Sequence, residues 1–326
     1  MYKLLTCLLC LLLCLPVHRA LGAEKVKIGN ISFKDAIVEQ DAEPTGDFQT
    51  LIVPIKKAGN LIIVEAQLDS IEGNFVMDTG APYLVLNESY FRDVPRINDQ
   101  DAQGVNGDNG GAFTTVVHNF SILDLHYDRL TADVTDLSSI ENGRGIKILG
   151  LLGTRLFAKF SITIDVFHNL LYIQKLDKNG DISPAERVFT DPVIKVPFRL
   201  MNDIIFLKGT VFNRSMWFVF DTGAETNLLD YNGSKKIIDS LTIISRSKLT
   251  GIGGSCFEVI YARFDKLVVG NRVFLQNRVL LTSLEKMGKA YDHSVSGILG
   301  YDFYSRGIFS INFVKKEFEM YIYNNQ

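Results

Sequence analysis

Two Asp-Thr-Gly-Ala segments, at 78–81 and 221–224, are the parts of this chain best suited to chemistry. Each follows an apolar run, which predicts a buried strand that ends in a tight turn. Two such turns in one chain could bring the carboxyl groups of Asp78 and Asp221 together. A pair of carboxyl groups that shares one proton can supply both a general acid and a general base.

The spacing of these segments indicates an internal duplication. Asp221 follows Asp78 by 143 positions, and the same offset relates Pro197 to Pro54. Four pairs of segments carry the repeat: 53–56 with 196–199, 61–64 with 204–207, 85–87 with 228–230, and 151–153 with 298–300. A repeat of this length predicts two copies of one structural unit, each contributing one aspartate.

The composition and patterning predict a mainly β protein. Of 326 residues, 47% are hydrophobic and 22% charged, which is enough for two domains with their own cores. Short apolar or alternating runs of Val, Ile, Phe and Tyr predict strands, and helical periodicity is rare. Strands are expected at 62–68, 116–125, 161–165 and 309–313, and short helices near 156–160, 235–240 and 303–306. The predicted domains are a first β lobe at 47–176, a polar linker at 177–192 and a second β lobe at 193–326.

The N-terminus is typical of an exported protein. Lys3 precedes an apolar run at 4–17, and small residues follow at 20–23, so residues 1–23 are predicted to be a signal peptide. The mature protein is then periplasmic, attached to the envelope or secreted. No later segment is long enough for a membrane span. Residues 24–46 are an N-terminal extension or a short pro-segment, and the sequence does not decide between them.

Charge and motif content argue against several other functions. Removing residues 1–23 takes away Lys3 and Arg19 and changes the net charge from −3 to −5, which gives no electrostatic reason to bind nucleic acid. The five histidines show no zinc-ligand spacing, so neither a metal nor another cofactor is expected. No Gly-x-Ser-x-Gly segment marks a serine hydrolase. Of the four cysteines only Cys256 lies outside the predicted signal, so the mature chain can form no internal disulfide.

Glycine-rich segments follow both Asp-Thr-Gly-Ala copies and are candidates for flaps over a cleft. Glycine permits the positive φ angles of a hairpin tip, and each segment precedes a run of β-formers. A plain surface hairpin would look the same, but its presence at corresponding places in both halves favours a functional flap. The flap candidates are Gly107, Gly110, Gly111, Gly251, Gly253 and Gly254.

These features together resemble the aspartic proteases, and most closely the retropepsin-like domain, here with two copies fused in one chain over residues 50–326. The resemblance implies that Asp78 and Asp221 form a catalytic dyad that activates a water molecule. It implies supporting roles for the rest of each turn, through hydrogen bonds between the threonines, close approach at the glycines and backbone N–H groups near the alanines. The supporting residues are Thr79, Gly80, Ala81, Thr222, Gly223 and Ala224. Neither glycine-rich segment has the tyrosine that a pepsin-like flap carries, which argues against a single pepsin-like flap.

The expected function is an exported aspartic endopeptidase that acts on an extended peptide or protein segment. Such a substrate can form β-ladder hydrogen bonds beneath a flap while its side chains enter pockets. The protein is expected to be a monomer whose two halves form a pseudo-dimer. The alternative is a catalytically silent peptide-binding module on the same fold, although two intact Asp-Thr-Gly-Ala turns favour an enzyme. A zymogen restrained by residues 24–46 is a variant of the first hypothesis.

Overall fold

A computed structural model describes residues 41–97, 112–250, 256–291 and 293–321. The predicted signal peptide, most of the N-terminal extension and all six flap glycines lie outside these ranges. The prediction of a mainly β protein is confirmed, since the described residues form twenty strands and only short helices.

The strands are β1 (Thr50–Ala58), β2 (Leu61–Leu68), β3 (Ile71–Met77), β4 (Leu84–Asn87), β5 (Phe113–Ile122), β6 (Leu125–Thr135), β7 (Gly150–Leu152), β8 (Phe160–Asp165), β9 (Leu170–Lys175), β10 (Ile194–Pro197), β11 (Arg199–Met201), β12 (Ile204–Val211), β13 (Arg214–Phe220), β14 (Leu228–Asp230), β15 (Thr242–Thr250), β16 (Cys256–Val269), β17 (Arg272–Thr282), β18 (Gly297–Leu299), β19 (Ile308–Asn312) and β20 (Glu317–Tyr321). The α-helices are α1 (Glu88–Phe91), α2 (Ser138–Asn142), α3 (Lys235–Ile238), α4 (Glu285–Ala290) and α5 (Tyr301–Tyr304). The 3-10 helices are Thr154–Phe157 and Pro184–Glu186.

The strands form two sheets that repeat one arrangement. A twelve-stranded sheet has the order β10-β20-β19-β8-β9-β1-β2-β3-β7-β4-β6-β5, and β2 also pairs with β5. An eight-stranded sheet has the order β11-β12-β13-β18-β14-β17-β16-β15, and β12 also pairs with β16. The series β2-β3-β7-β4-β6-β5 therefore corresponds to β12-β13-β18-β14-β17-β16. Each series curls until its outer strand pairs back, so both halves contain a barrel-like sheet.

One predicted strand, at 116–125, is confirmed as far as Ile122 but was predicted to end too late. The structure ends β5 at Ile122 and begins β6 at Leu125, and Leu123 between them has a φ angle of +49°. Leu123 in the turn is itself apolar, so the turn does not interrupt the apolar run in the sequence. The two strands pair antiparallel from Ile122 and Leu125 outwards.

Strands from both halves join in the twelve-stranded sheet. β19 of the second half pairs with β8 of the first, with Ile311 opposite Ile162, and β10 and β20 extend the same sheet. The Phe220 ring, one residue before Asp221, packs on this sheet with ring centroids 5.2 Å from Phe309 and 5.0 Å from Phe318. Aromatic pairs at this separation stabilise a core beyond the burial of their surface. The strand that carries the second aspartate is therefore anchored on a sheet common to both halves.

The described helices are short, the longest having six residues. Within the described part of the chain, none is both long and apolar enough to cross a lipid bilayer.

Candidate active site

Two equivalent strands deliver the two aspartates to one place. β3 ends at Met77 and pairs in parallel with β7, and the Asp78 N–H donates to the Leu152 carbonyl at 3.0 Å. β13 pairs in the same way with β18, and the Asp221 N–H donates to the Leu299 carbonyl at 3.0 Å. Each aspartate therefore begins a turn whose first backbone bond is made to a neighbouring parallel strand.

The structure brings the carboxyl groups of Asp78 and Asp221 into hydrogen-bonding contact. Both side chains are buried, with residue exposures of 7% and 1%. The Gly80 N–H donates to Asp78 Oδ1 at 2.8 Å, and the Gly223 N–H donates to Asp221 Oδ1 at 2.8 Å. Each carboxyl group is thus held by its own turn while it faces the other.

The pKa values of both carboxyl groups are raised. Burial is the main cause for Asp78, because removing a carboxylate from water disfavours its charged form. Burial also raises the pKa of Asp221, and the negative charge of Asp78 raises it further, well above its usual range. Two carboxyl groups in contact titrate as a unit, so one proton is held between them over a wide pH range.

Glycine is required beside each aspartate because the opposite carboxyl group lies close. A Cβ atom placed on Gly80 would lie 2.7 Å from Asp221 Cγ, and one on Gly223 would lie 2.7 Å from Asp78 Cγ. These separations are shorter than any van der Waals contact between carbon atoms. The close approach expected from the sequence is therefore present in the structure.

The two threonines join the turns. The Thr79 N–H donates to Thr222 Oγ1 at 3.1 Å, and the Thr222 N–H donates to Thr79 Oγ1 at 3.0 Å. Each hydroxyl also donates to a carbonyl of the opposite half, from Thr79 to Phe220 at 2.8 Å and from Thr222 to Met77 at 2.7 Å. Both threonines are fully buried, so these four bonds form a closed polar network between the halves.

The two alanines are buried, and their carbonyl groups connect each turn to the short helix that follows residues 151–153 or 298–300, which we call the apolar-apolar-Gly segments. The Ala81 carbonyl accepts a bond from the Thr154 N–H at 3.0 Å, and the Ala224 carbonyl accepts one from the Tyr301 N–H at 2.9 Å. A Cβ on Gly300 would lie 2.5 Å from the Ala224 carbonyl oxygen. The apolar-apolar-Gly segments thus pack directly against the two turns.

A buried ion pair beside the second turn was not predicted from the sequence. Arg144 of the first half lies 2.9 Å from Glu225 Oε1, and the side chains are 6% and 14% exposed. Asn60, also from the first half, donates its side-chain N–H to the Glu225 carbonyl at 3.0 Å and its backbone N–H to Oε1 at 3.3 Å. The residue that follows Ala224 is therefore held by groups of the opposite half.

The equivalent contact on the other side is neutral. Tyr291 occupies the place that corresponds to Arg144, and its hydroxyl donates to the Gly80 carbonyl at 3.2 Å. The 147-residue offset between the later parts of the two halves aligns Arg144 with Tyr291, so the sequence held a positional signal. Because arginine and tyrosine differ in chemistry, the equivalence of Arg144 and Tyr291 was not recognised from the sequence.

The described residues contain no group of three or more His, Cys, Asp or Glu side chains that could hold a metal ion.

The structure describes only part of the two predicted flaps. β15 and β16 pair antiparallel up to Thr250 and Cys256, so residues 251–255 connect the two arms of a hairpin. The glycines of both candidate flaps lie outside the described residues.

Comparison with known proteins does not assign the chain to a family. No family model matches the chain, and no curated protein matches its sequence. Among solved structures the chain is similar to the crystal structure of basic 7S globulin from soybean, with 8% sequence identity, a TM-score of 0.45 and coverage of 83% of this chain and 94% of that chain. A likeness at this level supports no conclusion about the fold or the activity of the chain.

Proposed function

We propose that the protein is an aspartic endopeptidase with a bilobal aspartic-protease-like fold, in which each half supplies one catalytic carboxyl group. The observation that carries the proposal is the contact between Asp78 and Asp221, two buried carboxyl groups at the ends of equivalent strands. Perturbed carboxyl pairs in one place are a mark of acid–base chemistry. The Asp-Thr-Gly-Ala turns support the proposal that retropepsin-like domains are the nearest relatives of this fold.

The proposed reaction is the hydrolysis of a peptide bond by water. The ionised member of the dyad takes a proton from a water molecule, whose oxygen attacks the carbonyl carbon of the substrate. The protonated member donates its proton to the carbonyl oxygen, which gives a neutral tetrahedral intermediate. Collapse of this intermediate returns a proton to the dyad from the hydroxyl group and transfers one to the leaving nitrogen, so the C–N bond breaks and the dyad regains its single shared proton.

The surroundings of the dyad favour such a mechanism because they hold the carboxyl groups in place before the substrate arrives. The N–H groups of Gly80 and Gly223 orient one oxygen of each carboxyl group, and the threonine network fixes one turn relative to the other. Preorganised polar groups of this kind need no rearrangement when charge shifts in the transition state.

The hypotheses of a substrate in extended conformation, of flaps and of export complete the proposal. The arms of the second hairpin, β15 and β16, give a flap its framework. A segment bound in extended conformation would use backbone hydrogen bonds for affinity and side-chain pockets for selection.

The direct test is cleavage of a peptide mixture by residues 24–326, assayed by mass spectrometry from about pH 3 to pH 8, the range in which coupled carboxyl groups titrate. We expect new termini at defined positions and a bell-shaped dependence of rate on pH, because one carboxyl must be ionised and the other protonated. Asp78→Asn and Asp221→Asn proteins serve as controls for contaminating proteases. Wild-type protein that binds peptides but cleaves none, after removal of residues 24–46 as well, would support the silent binding module instead.

A further inference from the structure

Two arginines oppose each other in the eight-stranded sheet without an acidic partner. Arg263 of β16 is in register with Arg278 of β17. Residues directly opposite in an antiparallel pair have Cβ atoms about 4.5 to 5.5 Å apart, and like charges there destabilise the sheet. Within the described part of the chain neither arginine forms an ion pair, and Arg263 Nε is buried without a hydrogen-bond partner. An anion between the two guanidinium groups would remove the repulsion between them.

The arginine pair lies next to the chain that leaves the second catalytic turn. The Asn227 side chain donates to the Arg278 carbonyl at 3.2 Å, and the Leu280 N–H donates to the Asn227 carbonyl at 2.9 Å. β17 therefore runs beside residues that follow Asp221 by only six positions. The pair is one strand away from the segment that positions the dyad.

The two arginines project from the same face of the sheet as a small hydrophobic core that includes Ala224 of the second Asp-Thr-Gly-Ala turn. Tyr261 and Leu280 are in register two positions before Arg263 and two after Arg278, so all four side chains project from one face. Leu280 packs in a cluster with Ala224, and Tyr261 packs against that cluster. The arginine pair therefore lies on the same face of the sheet as residues that pack with Ala224 of the second turn.

Two acidic side chains beside the second turn are already engaged elsewhere. Glu225 is held by Arg144 and Asn60, and the Asp302 carboxylate accepts bonds from the Thr226 hydroxyl and the Asn227 N–H. Arg278 is exposed and Arg263 is half-buried, so a ligand from solvent can reach both.

The first half has no arginine pair at the corresponding place, which the structure describes. The equivalent positions, 147 residues earlier, hold Val116 and Thr131, which are in register with each other. The opposed arginines are therefore a feature of the half that carries Asp221.

We infer that Arg263 and Arg278 form a subsite for an acidic side chain of the substrate, either aspartate or glutamate. This inference depends on the proposed peptide cleavage, since it assigns the subsite to a peptide. Guanidinium groups donate to carboxylates through charge-assisted hydrogen bonds, which are about twice as strong as neutral ones. The protein then selects peptides with an acidic residue at one fixed distance from the cleaved bond.

The test compares peptide pools that differ by one charge. Random octapeptides built from uncharged residues carry glutamate at one fixed position in one pool and glutamine there in the other, and the fixed position is moved along the peptide. Binding is measured on the Asp221→Asn protein by anisotropy of a terminal fluorophore, so the result does not depend on turnover. We expect tighter binding of the glutamate pool, by about tenfold, at one position only, and about tenfold corresponds to 1.4 kcal/mol. Cleavage by the wild type, measured separately, tests the proposed function itself.

The variants locate the preference. Arg278→Gln and Arg263→Gln should each reduce the glutamate preference to near unity, Arg278→Lys should keep part of it, and Arg278→Glu should favour a lysine pool over the glutamine pool. Arg272→Gln removes a charge from an exposed position at the start of the same strand and should change nothing. Thermal melting of each variant identifies loss of folding. Because Arg278 is exposed, the side chains that replace it have space in the folded protein.

Three results would overturn the inference. Equal binding of the glutamate and glutamine pools at every position would do so, as would a preference that survives in Arg278→Gln and Arg263→Gln alike. So would thermal stabilisation by inorganic phosphate that depends on the two arginines without any peptide preference, because the site would then hold a free anion.

Discussion

Thr79 and Thr222 exchange backbone-to-hydroxyl hydrogen bonds of 3.1 and 3.0 Å across the contact between the two halves. The exchange is reciprocal, and each hydroxyl uses its proton on a carbonyl of the opposite half. Water does not compete for the hydrogen bonds of either hydroxyl group, because both residues are fully buried. The position of one aspartate is therefore coupled to that of the other through two residues that carry no charge.

The first prediction concerns this network. Thr79→Val keeps the shape of the side chain but removes the donor to the Phe220 carbonyl and the acceptor of the Thr222 N–H. Leaving a buried polar group unsatisfied costs about 1 to 3 kcal/mol, so for these two groups we expect a loss of about 2 to 6 kcal/mol in the free energy of unfolding. Urea unfolding measures this, and Thr79→Ser, which retains the hydroxyl, is the matched control. Equal stability of the valine and serine variants would show that the network contributes nothing.

The second prediction concerns the dyad. Asp78→Asn and Asp221→Asn should each abolish peptide cleavage, because an amide cannot exchange the shared proton. The double variant should be hardly worse than either single one, since residues that act as a unit have non-additive effects. Initial rates on one peptide, measured for all four proteins, form the test. Independent, multiplicative losses would contradict a shared proton.

The third prediction follows from the raised pKa of Asp221. The folded state holds the proton of this carboxyl more tightly than the unfolded chain, where aspartate has a pKa of about 3.9. The stabilisation that accompanies this proton is complete below that value and is lost as the pH rises through the folded-state pKa. Asparagine stays neutral at every pH, so the stability of Asp221→Asn relative to wild type should increase as the pH rises above about 4.

Unfolding by urea at several pH values measures this difference. A difference that stays constant between acidic and neutral pH would mean that the pKa of the Asp221 carboxyl is not raised in the folded protein.

The fourth prediction concerns the glycine beside the first aspartate. Gly80→Ala places a Cβ 2.7 Å from Asp221 Cγ, so the two turns must separate. Overpacking of this kind costs about 1 to 3 kcal/mol, and the larger effect should be on kcat because the carboxyl contact is lost. Gly145→Ala is the control, since its φ of +66° strains an alanine while no atom lies within 4 Å of the added Cβ. It should lower stability and leave kcat unchanged, and a Gly80→Ala protein with normal kcat would refute the argument.

The fifth prediction concerns the ion pair between the halves. Removing one partner of a buried pair typically costs about 3 to 5 kcal/mol, because the remaining charge is left without compensation. Arg144→Met and Glu225→Gln should therefore each be strongly destabilising, and the double variant should be less destabilised than the two single effects predict together. Denaturation midpoints of the four proteins complete the cycle. Additive effects would mean that the pair is not coupled.

Much of the site could be read from the sequence because its features are local or repeated. The apolar run before each aspartate, the glycine two positions after it and the common offset of 143 residues predicted buried strands, tight turns and two equivalent units. The tertiary structure places Asp78 and Asp221 in contact, as those patterns led us to expect. Patterns of this kind predict structure because strand period and turn geometry depend on residues that are neighbours in the sequence.

Other features were decided only by the tertiary structure. Nothing in the local sequence marks Arg144 as the partner of Glu225, and nothing places Arg263 opposite Arg278. The joining of β8 and β19 in one sheet likewise depends on residues about 150 positions apart. Such contacts depend on strand register and on how the halves pack, and a shift of one residue in register would turn the same side chains to the other face.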